Sequence, residues 1–159
     1  MRLRAWVLLF CLLGSSTFAQ ERAVAWRGHG ADGKPIVFDP QHLERPALLL
    51  FWATWCPYCE ALMPYLQKVY DAAGRSHLDV YAIDIKEDGD PVATLRARKL
   101  TFTLVRDGDP IAPLYGVKGT PGLFLVDVHG NIAYKRVGGD APEKVEAALR
   151  DKLDLPQPK

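Results

Sequence analysis

The sequence predicts an α/β fold in which a central mixed β-sheet is flanked by helices. Three stretches point to it. Ala47–Trp52 (ALLLFW) is an unbroken apolar run, the pattern of a strand buried on both faces. Pro57–Ala73 follows with Leu62, Leu66, Val69 and Ala73 near one helical face. Leu123–Val128 and Ile132–Val137 are extended runs joined by the turn His129-Gly130-Asn131. With a strand over Leu78–Ile85, the first two make a parallel βαβ unit. The hairpin adds antiparallel strands, so the sheet is mixed.

The remaining elements fall into place in chain order. Gln20–Ala31 reads as a short polar lead. Asp32-Gly33 is a turn signal, and Pro35–Phe38 (PIVF) a short strand. Gly74 stops the long helix. Asp90 caps a second helix over Pro91–Lys99; Arg96, Arg98 and Lys99 form its solvated, C-terminal side. Thr101–Val105 is a short extended piece, Asp107–Pro110 a turn, and Ile111–Tyr115 a single helical turn. Gly119–Gly122 (GTPG) breaks the chain. Asp140-Ala141-Pro142-Glu143 matches a capping box for a last helix ending near Leu153. The chain divides into a leader over 1–19, one domain over 20–155 and a flexible tail over 156–159.

The leader is set apart by composition. MRLR carries two arginines, AWVLLFCLLG is apolar, and SSTFAQ is small and polar, with Thr17 and Ala19 at −3 and −1 of a cut. This is the pattern of a secretory signal peptide. The apolar stretch is short for a bilayer span, which needs about 20 residues; retention as an anchor is the alternative. Cys11 follows Phe10, where a lipoprotein cysteine would follow a small residue. The formal net charge of the chain is +1. No basic stripe suits nucleic acid, and the reading is of a monomer without nucleic-acid partners. Export to an oxidising compartment, the periplasm, follows from the leader.

Cutting after Ala19 leaves two cysteines, Cys56 and Cys59. As a structural bridge the pair closes too small a loop to remove much chain entropy from the unfolded state. As a zinc site it lacks a second pair, and His29, His42, His77 and His129 show no ligand spacing; no metal and no cofactor are expected. As a reagent the pair is well placed. A Cys-x-x-Cys beside a βαβ unit reads as a redox motif. Cys56 falls where a strand passes into a helix, and the unpaired N–H groups and positive dipole end there stabilise a thiolate. Pro57 suits the first helical position because it has no N–H to leave unpaired. Cys59 lies on the same helical face, within reach of Cys56. The first thiol is expected to be the more exposed and the second the more buried.

On these residues the chain resembles the thioredoxin superfamily, and more narrowly the TlpA/ResA/CcmG group of exported thiol-disulfide oxidoreductases. FWATWC is similar to the active-site lead of that group. Pro64 matches its helix-kinking proline, DGKPIVF its N-terminal β-hairpin, and LYGVKGTPGLFLVDVHGNIAYKRVGG its second signature. The likeness covers about Asp32 to Leu153. It implies a thioredoxin-like fold, a redox-active Cys56–Cys59 disulfide and a cis Thr120–Pro121 peptide beside Cys56. It also implies an extra segment between Lys86 and Tyr115. Trp55, Pro57, Tyr58, Thr120 and Pro121 would dock the substrate, with Trp55 and the Thr120-Pro121 turn as an apolar rim and Trp52 in the core.

The implied activity is reduction of selected protein disulfides, of the kind met in cytochrome c maturation or metal-site assembly. The implied partners are protein disulfide or dithiol substrates and a membrane electron donor of DsbD/CcdA type. The departures bear on mechanism. Thioredoxins carry a buried aspartate where Leu50 stands, and the TlpA/ResA group a glutamate where Leu62 stands; Glu60 sits two positions earlier. Any acid that takes the second thiol's proton must therefore come from elsewhere, or a water must serve. Pro57-Tyr58 is the dipeptide of glutaredoxins and lies near the Pro-His of DsbA, which leaves an oxidase or isomerase as an alternative. A copper-binding module of the same fold is a third reading, since two thiolates suit Cu(I).

Overall fold

A computed structural model describes residues 21–136 and 139–158. The leader read at 1–19 lies outside the described residues, as does Val137 at the end of the last expected strand.

Five strands build the main sheet: β3 (Ala47–Trp52), β4 (Asp79–Asp84), β5 (Thr103–Val105), β6 (Gly122–Val126) and β7 (Ile132–Arg136). Their spatial order is β5-β4-β3-β6-β7. β4 is parallel to β3 and β5, whereas β6 is antiparallel to both β3 and β7. β3 lies at the centre, with all six residues buried, because both of its faces are covered. On one face Leu48, Leu50 and Trp52 meet Leu62, Leu66 and Val69 of helix α1 (Pro57–Ala73) and Leu149 of helix α3 (Pro142–Lys152). On the other, Leu49 and Phe51 pack with Ile83, Val105, Ile111 and Phe124. The expected mixed sheet with helices is thus present.

A separate two-stranded sheet joins β1 (Trp26–His29) to β2 (Pro35–Phe38), in register Trp26↔Phe38 to His29↔Pro35. The polar lead read over Gln20–Ala31 is corrected here, because it contains β1. WRGH carries little alternation of its own. Its pairing is fixed by β2 and by Trp26, which stacks on Phe38 at 5.2 Å and meets Tyr81 edge-on at 5.6 Å. The hairpin implied by the resemblance is there.

α1 ends at Gly74, whose φ of 81° is open to glycine at little cost, and its N–H returns to the Tyr70 carbonyl. α2 (Pro91–Ala97) is shorter than expected and is capped by Asp90, which accepts from the Ala93 N–H at 2.9 Å. With β5 it occupies the segment between Lys86 and Tyr115. Ala112–Tyr115 is a 3₁₀ turn.

The capping box at Asp140–Glu143 does not form. The cap position is Ala141, one residue later than the box requires, and no side chain caps it. Glu143 instead accepts from the Tyr65 hydroxyl of α1 at 2.5 Å, and the Asp140 carbonyl accepts from Arg136 at 2.9 Å. At the chain end, in the tail expected to be flexible, the Pro156 carbonyl accepts from Arg150 at 2.8 Å.

Candidate active site

The site begins where β3 runs out. Trp52 and Ala53 are still buried, and the chain then turns through Thr54-Trp55 into α1. Cys56 is the N-cap, with extended backbone (φ −88°, ψ 106°), and its sulfur accepts the Cys59 N–H at 3.1 Å. That N–H belongs to the first turn of the helix and is shared with the Cys56 carbonyl at 3.1 Å. Pro57 holds the first helical position, as the sequence requires. Cys56 and Cys59 are joined as a disulfide, with Cα atoms 5.3 Å apart. α1 runs unbroken through Pro64.

Cys56 is 3% and Cys59 1% accessible, so both sulfurs are buried in the bonded state. Cys56 remains slightly the more accessible of the two. The exposed groups are its neighbours: Trp55 is 51% and Tyr58 72% accessible.

The Thr120–Pro121 peptide is cis. Thr120 and Pro121 line a depression with Tyr58, Gly119, Arg136 and Gly139. Of the expected docking residues, this surface brings together Tyr58, Thr120 and Pro121. Trp55 and exposed Pro57 do not line it. Trp55 is held elsewhere, its indole N–H donating to the Lys86 carbonyl at 2.7 Å. Trp52 is core, as expected.

The loop after β4 ties this region together, and sequence reasoning missed it. Glu87 accepts from the Thr54 N–H at 2.8 Å, from the Thr54 hydroxyl, and from the N–H groups of Asp88 and Gly89 at 3.0 and 2.9 Å. Partial burial alone would raise its carboxyl, but the Thr54, Gly89 and Asp88 donors outweigh burial and hold it below the usual range. Lys86 sits at a φ of 52°, donates its N–H to the Asp109 carboxylate and extends its ammonium to the Lys118 carbonyl at 3.1 Å. Glu87→Ala is expected to lower the unfolding free energy by about 1.5 kcal/mol, the lower end for a single hydrogen bond to a charged group, since this carboxylate is only partly buried. Urea unfolding measures it; a midpoint equal to that of the unaltered protein would count against the clamp.

No acid stands at Leu50 or Leu62, and both are fully buried. Glu60 is engaged at the surface by Arg98 at 2.9 Å. A carboxylate does reach the same face of the sheet from β4. Asp84 is the register partner of Trp52 and is 4% accessible. Val80 and Ala82, which alternate with it on β4, lie in the cluster that holds both cysteines. Its Oδ1 and the Trp52 indole N–H both lack a partner among the described residues. Burial pushes the Asp84 carboxyl up to about 6, against a hydrogen bond from the Asp107 backbone. An acid closing the apolar run LDVYAIDI was the available signal in the sequence.

The AhpC/TSA family matches residues 19–135, about three quarters of the chain. The chain belongs to the AhpC/TSA family. The thiol-disulfide oxidoreductase ResA of Halalkalibacterium halodurans is 29% identical over 160 aligned positions, 92% of this chain and 90% of that one. The ResA of Bacillus anthracis is 32% identical over 104, covering 64% of this chain and 60% of the relative. A crystal structure from Chlorobium tepidum, assigned as a thiol:disulfide interchange protein DsbE, superposes with a TM-score of 0.71 at 26% identity. It covers 84% of this chain and 96% of that one. Within this family, the Cys56–Cys59 pair at a helix start is the equipment of a thiol-disulfide oxidoreductase.

Proposed function

We propose that this protein reduces selected protein disulfides in the periplasm. The observation that carries the reading is Cys56 at the cap of α1, bonded to Cys59 and receiving its N–H. In the reduced state the same N–H and the helix dipole favour the Cys56 thiolate. That thiolate attacks one sulfur of a substrate disulfide. A Cys56–substrate bond forms, the substrate S–S bond breaks, and the first substrate sulfur leaves as a thiolate. Cys59 then loses its proton and attacks Cys56. The enzyme disulfide forms and the second substrate sulfur leaves, so two electrons have passed to the substrate. A membrane dithiol donor of DsbD/CcdA type returns them.

Tyr58, Thr120 and Pro121, which share one depression, dock the substrate chain together with Trp55 and Pro57. The Thr120 backbone pairs with an extended segment. Apocytochrome c, or a protein awaiting metal at a cysteine site, is the substrate class that fits.

Pro57-Tyr58 favours a second reading, in which the same pair runs as an oxidase or isomerase. Equilibration with glutathione separates the two. Reduction potentials of thioredoxin-fold dithiols run from about −270 mV for thioredoxin to about −120 mV for DsbA, and about 30 mV corresponds to 1.4 kcal/mol. A reductant is expected in the lower half of that range. A value near that of DsbA would reverse the direction of electron flow.

A further inference from the structure

Two arginines of this fold are buried, and they are treated differently. Arg150, 7% accessible, faces the buried Glu146 at 2.9 Å and also donates to the Pro156 carbonyl. Arg136 is equally buried, yet no ion pair among the described residues includes it. Its one described hydrogen bond goes to a neutral group, the Asp140 carbonyl, at 2.9 Å, and its Nε has no partner among the described residues. A buried cation without a counter-charge is costly, and such a group is normally paired.

Its position gives the cost a purpose. Arg136 lines the depression shared by Tyr58, Thr120 and Pro121, and also the neighbouring one across the Gly116–Pro121 loop, where Lys118 and Lys135 join it. Neither depression has an acidic residue in its lining. Lys135 is engaged by Glu21 at 3.1 Å, while exposed Lys118 has no ion pair among the described residues. The cationic character of the groove thus rests on Arg136 and Lys118.

We infer that Arg136 selects substrates carrying an aspartate or glutamate close to the cysteine that Cys56 attacks, the side-chain carboxylate supplying the counter-charge that the fold withholds. The inference rests on the redox reading above and names the chemistry of its substrates. A guanidinium and a carboxylate make a charge-assisted hydrogen bond, stronger than a neutral one. A strand that pairs with Thr120 places alternate side chains toward the two depressions.

Three disulfide-bonded peptides test this, acetylated and amidated at their ends so that no terminal carboxylate competes. They differ at one residue beside the cysteine: glutamate, glutamine or lysine. The reduced protein is expected to reduce the glutamate peptide about five- to tenfold faster, in kcat/KM, than the glutamine peptide, and the lysine peptide more slowly still. The preference is expected to shrink as salt rises. Arg136→Gln is expected to bring the glutamate-to-glutamine ratio close to one, whereas Arg136→Lys retains part of it. Equal rates for the first two peptides in the unaltered protein would overturn the inference, whatever the stability of the variants. A full preference persisting in Arg136→Gln would overturn it too. Failure to reduce any of the peptides would remove both this inference and the redox reading.

Discussion

Replacing Cys56 with serine is expected to abolish disulfide reduction, by on the order of a thousandfold or more, as loss of an attacking nucleophile does. Replacing Cys59 with serine is expected to stop the cycle one step later, with the substrate held on Cys56. The asymmetry follows from the helix start. Cys56 occupies the cap, where the N–H of Cys59 points at its sulfur from 3.1 Å. Cys59 lies one turn inside α1, 1% accessible, where its role is to reach back to Cys56. Serine at 56 leaves a hydroxyl too weakly acidic to ionise at the same cap, and Cys59 lies one turn inside the helix, away from that cap. Serine at 59 preserves the attacking thiolate and removes only the group that resolves the mixed bond. Stopped-flow reduction of a peptide disulfide measures the first variant. Non-reducing electrophoresis with mass spectrometry measures the second. Appreciable turnover by Cys56→Ser, or a trapped substrate on Cys59 in place of Cys56, would reverse the assignment.

Much of this was legible along the chain, and the reasons differ from residue to residue. The bounds of β3 and α1 match the expected Ala47–Trp52 and Pro57–Ala73 because each is fixed by local signals: an apolar run, a proline at the first helical position and a terminal glycine. The cysteine pair was legible because its chemistry depends on the same local boundary. β1 was not, because WRGH is extended only through its partner strand and the stacking of Trp26 on Phe38. The capping box at Asp140 failed for a related reason. Its spacing is correct, yet tertiary partners, Tyr65 for Glu143 and Arg136 for the Asp140 carbonyl, take the groups it would use. Glu87 and Arg136 are ordinary charged residues in sequence. What marks them is a set of donors from Thr54 in one case and the lack of a counter-ion among the described residues in the other, and both are properties of the folded chain.

Asp84→Asn is expected to stabilise the protein at pH 8 and to leave it nearly unchanged at pH 4. Burial holds the Asp84 carboxyl at about 6 in the folded state, against about 3.9 in an unfolded chain. Between those values the folded state keeps a proton that the unfolded state has lost, so stability declines as pH rises from about 4 to 6. Above 6 the folded state carries a buried charge, and the full penalty applies, about 2 to 3 kcal/mol for a shift of this size. Asparagine carries no charge at any pH, so its advantage appears only on the alkaline side. Urea unfolding at both pH values checks this; an equal effect at pH 4 and pH 8 would show that packing, not charge, decides. The same carboxylate bears on the second chemical step. Cys59 must lose a proton before it attacks Cys56, and positions 50 and 62 hold leucines. Asp84, buried on the face of the sheet that carries the pair, is expected to receive that proton. Asp84→Asn is therefore expected to slow resolution of the mixed disulfide by about a hundredfold near pH 7, the lower end of what a positioned proton acceptor contributes. The first attack by Cys56 is expected to change little. A gain in stability at pH 8 together with a slower second step would be the signature of a charge retained for catalysis at the expense of the fold.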